Sequence, residues 1–137
     1  MRHQRNLERY AGILICVFGS GSVGSSVAQQ NAEQPETVMV TLRAKPGAEA
    51  DLERVVARHW TTAREMKLVS DKPHLTLRGV EGGNKTYFVE IFTWRDARVP
   101  DAAPAEIRRI WSDMNRLVEA RGGHPGLEFV AISVLTP

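Results

Sequence analysis

Glu90 stands inside an aromatic run, Tyr87-Phe88-Val89-Glu90-Ile91-Phe92-Thr93-Trp94, and a carboxylate in that setting has few options. Buried bare it is too costly, so it must find a partner, stay wet in a cavity or take up a proton. His74, Thr76 and Arg78 recur at alternate positions, the spacing that brings side chains to one face of a strand. If that segment pairs with the Tyr87 strand across the loop Glu81-Gly82-Gly83-Asn84-Lys85, matching polarity puts Thr76 opposite Glu90, with His74 and Arg78 as diagonal neighbours. A histidine and a carboxylate so placed can share a proton, and an arginine can hold an anionic oxygen. The expected catalytic pair is therefore Glu90 and His74. The expected substrate-binding set is Arg78, Thr76, Phe88, Phe92 and Trp94, with Trp94 at the mouth of the pocket. The bland alternative makes Glu90 a structural ion pair with Arg78. His59, beside Trp60, reads as helix surface and core, Trp111 and Met114 as core, and His124 as loop.

The elements that must position these residues follow from periodicity. Residues Thr37–Ala44 alternate Val38, Val40 and Leu42 against Met39, Thr41 and Arg43, a strand pattern. After Pro46-Gly47, apolar groups at Ala48, Leu52, Val55, Val56, His59 or Trp60, Ala63 and Met66 give the stripe of a helix. His74–Val80 and Tyr87–Trp94 form a hairpin. Asp101 is a candidate N-cap for a second helix carrying Ile107, Ile110, Trp111, Met114, Leu117 and Val118, stopped by Gly122-Gly123. Leu127–Leu135 is a last, nearly continuous apolar strand.

The order βαββαβ predicts an α+β, ferredoxin-like domain with a four-stranded antiparallel sheet whose first and third strands are central. Two helices cover one sheet face. The leucines of the second strand are expected on that side with Val89 and Ile91, which leaves Phe88, Glu90, Phe92 and Trp94 on the bare face. An uncovered aromatic sheet calls for a second copy laid across it, a homodimer through sheet faces.

Composition sets the remaining bounds. A chain of 137 residues holds one compact domain. Residues 1–28 read as a signal peptide, with basic Arg2, Arg5 and Arg9, apolar Ala11–Phe18 and a small-residue stretch ending Ser26-Val27-Ala28. Residues 29–36 read as a flexible lead-in and 37–137 as the folded domain, secreted or periplasmic and without stable membrane insertion after cleavage. From Gln29 onward the chain has 15 Lys+Arg and 15 Asp+Glu. With no basic patch interleaved with aromatics, nucleic acid is not an expected partner. Cys16 is the only cysteine and falls in the leader, so the mature chain has no thiol nucleophile. Gly19-Ser20-Gly21-Ser22-Val23-Gly24 matches a dinucleotide fingerprint, but the polar residues after it do not make a sheet-packing helix. No G-x-S-x-G, H-E-x-x-H or zinc-spaced ligand set is present, and no cofactor or metal is expected.

Several of these features together resemble the dimeric α/β-barrel superfamily. They are Lys45-Pro46-Gly47 at the entry to the first helix, Phe88-Val89-Glu90-Ile91-Phe92-Thr93-Trp94 followed by Arg95-Asp96, and Ile110-Trp111-Ser112-Asp113-Met114. The branch they are most similar to is the antibiotic biosynthesis monooxygenase-like proteins, over roughly Thr37 to Leu135. The resemblance implies a homodimer and a cofactor-independent monooxygenase-like reaction on an aromatic or quinone-like small molecule. The Asn, Trp and His set of the haem-degrading branch has no matching motif here. A non-catalytic small-ligand-binding or structural homodimer is the competing reading, since fold does not imply function.

Overall fold

The structure, a computed structural model, describes residues 33–135. The proposed leader, its glycine run and most of the lead-in lie outside the described residues. The elements are β1 (Glu36–Arg43), α1 (Glu49–Glu65), β2 (Leu75–Glu81), β3 (Lys85–Trp94), α2 (Ala105–Leu117) and β4 (Leu127–Ala131). The four strands form an antiparallel sheet in the order β2-β3-β1-β4, so β1 and β3 are central, as the element order predicts. No helix among the described residues is long and apolar enough to cross a membrane.

The β2–β3 register places Thr76 opposite Glu90 and Arg78 opposite Phe88, the pairing that polarity matching predicts. The hairpin closes between Glu81 and Lys85, and Gly83 and Asn84 take the left-handed conformation there, which glycine and asparagine tolerate best. Asp101 does not cap α2. Its N-cap is Pro104, whose extended backbone leads straight into the first turn. The last strand ends at Ala131, and beyond it Ile132 alone hydrogen-bonds back to Thr37.

The assignment of sheet faces is corrected. Phe88, Glu90, Phe92 and Trp94 lie beneath the helices, with Val38, Val40 and Leu42 beside them on β1, and all are buried. The open face carries Leu75 and Leu77, 51% and 50% exposed, with half-buried Met39, Val89, Ile91 and Val130. The physical reason is area. Aromatic side chains bury roughly 150–250 Å² each, so covering them gives the larger hydrophobic return. The alternation of β1 carries the same information. Its apolar set, Val38, Val40 and Leu42, pairs directly with Phe92, Glu90 and Phe88, so the clean face of β1 fixes the inner face of β3.

The helices complete this layer with Leu52, Val56, His59, Thr62 and Ala63 of α1 and Ile107, Ile110 and Met114 of α2. On the open face the Tyr87 ring lies across Gly79, where an added Cβ would meet the ring at 2.3 Å. Phe92→Ala should cost about 3–5 kcal/mol of stability, as loss of a buried ring does. Leu77→Ala, half-exposed before truncation, should cost distinctly less when denaturant midpoints are compared at low protein concentration. Equal losses would contradict the face assignment.

Candidate active site

Glu90 is 1% exposed and His59 is 3% exposed. They meet because β3 presents Glu90 toward the helices and α1 carries His59 on its buried stripe, between Val56 and Ala63. His59 Nδ1 lies 3.2 Å from Glu90 Oε2 and 3.4 Å from Oε1. On the other side of the ring, the Trp111 indole N–H of α2 donates to His59 Nε2 at 3.2 Å. An indole nitrogen can only donate, so Nε2 must be the acceptor and the ring proton sits on Nδ1, donating to the carboxylate. Three elements therefore fix one tautomer. In that tautomer Nδ1 has no lone pair for a metal, and among the described residues no group of three or more His, Cys, Asp or Glu is arranged to hold one.

Aromatic edges enclose the pair. The His59 ring lies 5.5 Å from Phe92 and 6.0 Å from Trp94, both edge-on, and Trp94 packs edge-on against Phe92 and Trp111. A cavity of about 50 Å³ adjoins this cluster, lined by His59, Glu90, Phe92, Trp94, Trp111 and Phe129, among others. Its more exposed lining, Asn115, Trp111, Leu127 and Phe129, belongs to α2 and β4. The Trp94 Nε1–H is buried with no hydrogen-bond partner among the described residues.

The structure brings some of the expected residues together and separates others. Glu90, Phe92 and Trp94 line the cavity. Trp94 is fully buried, because the helices cover its end of the strand, and is not at a mouth. His74, the residue before the edge strand, reaches toward Glu90, with Nε2 3.9 Å from Oε1, and stacks on Trp60 at a centroid distance of 3.7 Å. Thr76 is exposed and contacts His74 Nε2 at 3.4 Å. Phe88 is core and does not line the cavity. The expected Glu90–Arg78 ion pair does not form. Arg78 is diagonal to Glu90 on an exposed edge strand, so its guanidinium stays in water, near Glu53 at 3.7 Å and over the Phe88 ring at 5.9 Å.

His59 is the functional candidate that sequence reasoning passed over, and Trp111 is its companion. The available signal was position. A histidine on the inner stripe of a helix needs a buried polar partner, and the carboxylate in the middle of the aromatic inner face of β3 is Glu90.

Comparison with known proteins rests on structure. No family model matches the chain, and no curated protein matches it in sequence. SnoaB, a cofactor-independent oxygenase from Streptomyces nogalater, superposes with a TM-score of 0.53 at 20% identity, covering 76% of this chain and 96% of that one. A dimeric ferredoxin-like protein of unknown function from Jannaschia sp. gives 0.53 at 20% identity, over 73% and 99%. The shared fold is the ferredoxin-like α+β one. A candidate antibiotic biosynthesis monooxygenase from Bacteroides thetaiotaomicron agrees, at 0.52 and 12% identity over 77% and 94%. At these identities the likeness shows the fold alone.

Burial holds the His74 ring below the ordinary histidine value of 6.5, the Glu90 carboxylate partly offsets this, and His59 adds to the lowering. The sign follows directly. As pH falls through 6.5 the unfolded chain takes up a proton on His74 before the folded chain does, so the stability tied to neutral His74 is present above 6.5 and is lost toward its lower folded value. A histidine NMR titration should place His74 below 6.5, and Glu90→Gln should lower it further. A rise in Glu90→Gln would contradict the geometry.

Proposed function

We propose that this chain is a small homodimeric enzyme of the cofactor-independent oxygenase type, acting on a hydroxylated aromatic or quinone-like molecule. The observation that carries the reading is the buried Glu90–His59 pair in the wall of an aromatic cavity. The fold shared with SnoaB supports it. A substrate hydroxyl takes the place of the Trp111 N–H at His59 Nε2 and gives up its proton there. Glu90 holds the resulting imidazolium through Nδ1, the division of labour of a carboxylate-oriented histidine base. The phenolate so formed is electron-rich, and the substrate serves as its own reductant. A CH₂ conjugated with the ring becomes C=O, one atom of O₂ is retained, and the other leaves as water with the two hydrogens of that carbon. The Trp94 N–H, buried without an acceptor, suits a substrate oxygen.

One observation favours a non-catalytic reading. The cavity of about 50 Å³ has room for a few waters, whereas pockets for drug-sized ligands run to roughly 300–1,000 Å³. A substrate ring must therefore widen the cavity at its half-buried lining, which includes Trp111 and Phe129, to enter. The test is oxygen uptake with a panel of hydroxylated aromatics and quinols that includes compounds with a CH₂ conjugated with the ring. Wild-type protein should consume O₂ with at least one of them, and His59→Gln should lose about 10²–10⁴-fold in turnover, the span of a general base. A panel without uptake would return the site to a structural role.

Dimerisation and export belong to the same proposal. The open face, with Leu75, Leu77, Val89, Ile91, Met39 and Val130, is an apolar patch of the kind a second copy covers. Residues 1–28 are its export signal. Native mass spectrometry of the full chain expressed in a secreting host should give a dimer of chains beginning at Gln29. A Leu75→Glu, Leu77→Glu double variant should give folded monomer, and a wild-type monomer would overturn the dimer.

A further inference from the structure

Glu90 has two histidine neighbours. His59 Nδ1 touches both carboxylate oxygens from the inside, while His74 Nε2 approaches Oε1 from the edge of the sheet. The two rings differ in access. His59 is buried beneath α2, and the His74 side chain is 24% exposed. A base buried in this way has a difficulty of its own. Once it has taken a proton from a bound substrate, that proton must leave before the next cycle, and the cavity side is then filled by the substrate itself.

We infer that Glu90 and His74 form a proton-exit wire from His59 to solvent, with His74 as a relay residue acting through Glu90. The assignment of this direction of flow rests on the reading of the cavity as a substrate site. The proton steps balance. The substrate proton arrives on His59 Nε2, the Nδ1 proton passes to Glu90, His74 Nε2 accepts it from Oε1, and the His74 Nδ1 proton goes to water. Each residue ends as it began once His74 and His59 return to their starting tautomers. Because His59 Nδ1 is within 3.4 Å of Oε1, the proton can be taken up on the very oxygen that faces His74. The 3.9 Å gap to His74 is roughly 1 Å longer than a hydrogen bond, a distance that movement of the His74 side chain can close. The groups around His74 suit this role. Trp60 of α1 stacks flat against the ring and fixes its plane, Thr76 of β2 contacts Nε2, and the charged or titratable neighbours are Glu90 of β3 and His59 of α1.

The experiment needs no substrate, since a proton from solvent taken up at His59 Nε2, when the Trp111 N–H swings away, frees the Nδ1 proton to leave through Glu90. Exchange of the His59 Nδ1 proton with water is measured by NMR on protein with ¹⁵N-labelled histidine at fixed pH and temperature. In His74→Gln the exchange should slow at least tenfold. In His74→Ala, where the space beside Trp60 is vacated, added imidazole should restore it. A purely structural His74 would act in the opposite sense, because loosened packing lets solvent in and speeds exchange. Unchanged or faster exchange in both variants, or no response to imidazole, overturns the wire. With a substrate from the oxygen-uptake panel, His74→Gln should lower kcat and leave KM unchanged. A chain that takes up no oxygen would overturn the reading of the cavity, while the exchange rates would still decide whether the wire exists.

Discussion

The enclosure of Glu90 is the constraint on which the rest of the structure depends. A carboxylate taken out of water must be compensated at once, and here the compensation comes from α1 rather than from a neighbouring strand. For His59 to reach Glu90, α1 must cross the sheet over the centre of β3. For the ring to donate to the carboxylate, its other nitrogen must accept, and Trp111 of α2 supplies that donor. A strand and both helices are thus tied to one imidazole. The aromatic rings around it exclude water, which strengthens each of these polar contacts.

Closing the inner face in this way determines what is left outside. With Phe88, Phe92 and Trp94 used up beneath the helices, the open face is built of Leu, Val, Ile and Met. One end of it is polar, where Arg43 reaches Glu128 and Glu81, and Arg121 lies beside Glu81. The face is therefore suited to association with an apolar centre and a charged margin. The candidate chemistry is housed between sheet and helices. That separates the two faces, so the open face can be altered without touching the Glu90–His59 pair.

The size of the cavity and its chemistry pull in different directions. A fixed tautomer, a buried carboxylate and an indole donor without an acceptor are features of a prepared polar site. A volume of about 50 Å³ is that of a closed one. The two are compatible when the wall moves, and the part of the lining nearest solvent includes half-buried Trp111, Leu127 and Phe129.

What the sequence by itself determined was local. The alternation of β1 and β3, the stripes of α1 and α2, and the turn residues at Gly83 and Asn84 specified the element order. Polarity matching specified the β2–β3 register that sets Thr76 opposite Glu90. The need of Glu90 for a partner was equally legible, since it follows from the cost of burying charge. What only the tertiary structure decided was sidedness. Alternation says which residues share a face but not which face the helices cover, and β3 is apolar on both. The helix-covered side went to the rings, and with it Glu90 turned from an open sheet face and Arg78 toward His59. The partner of a buried charge is chosen by the element that packs on it, and His59 lies 31 residues away in the chain, a separation that no local pattern spans.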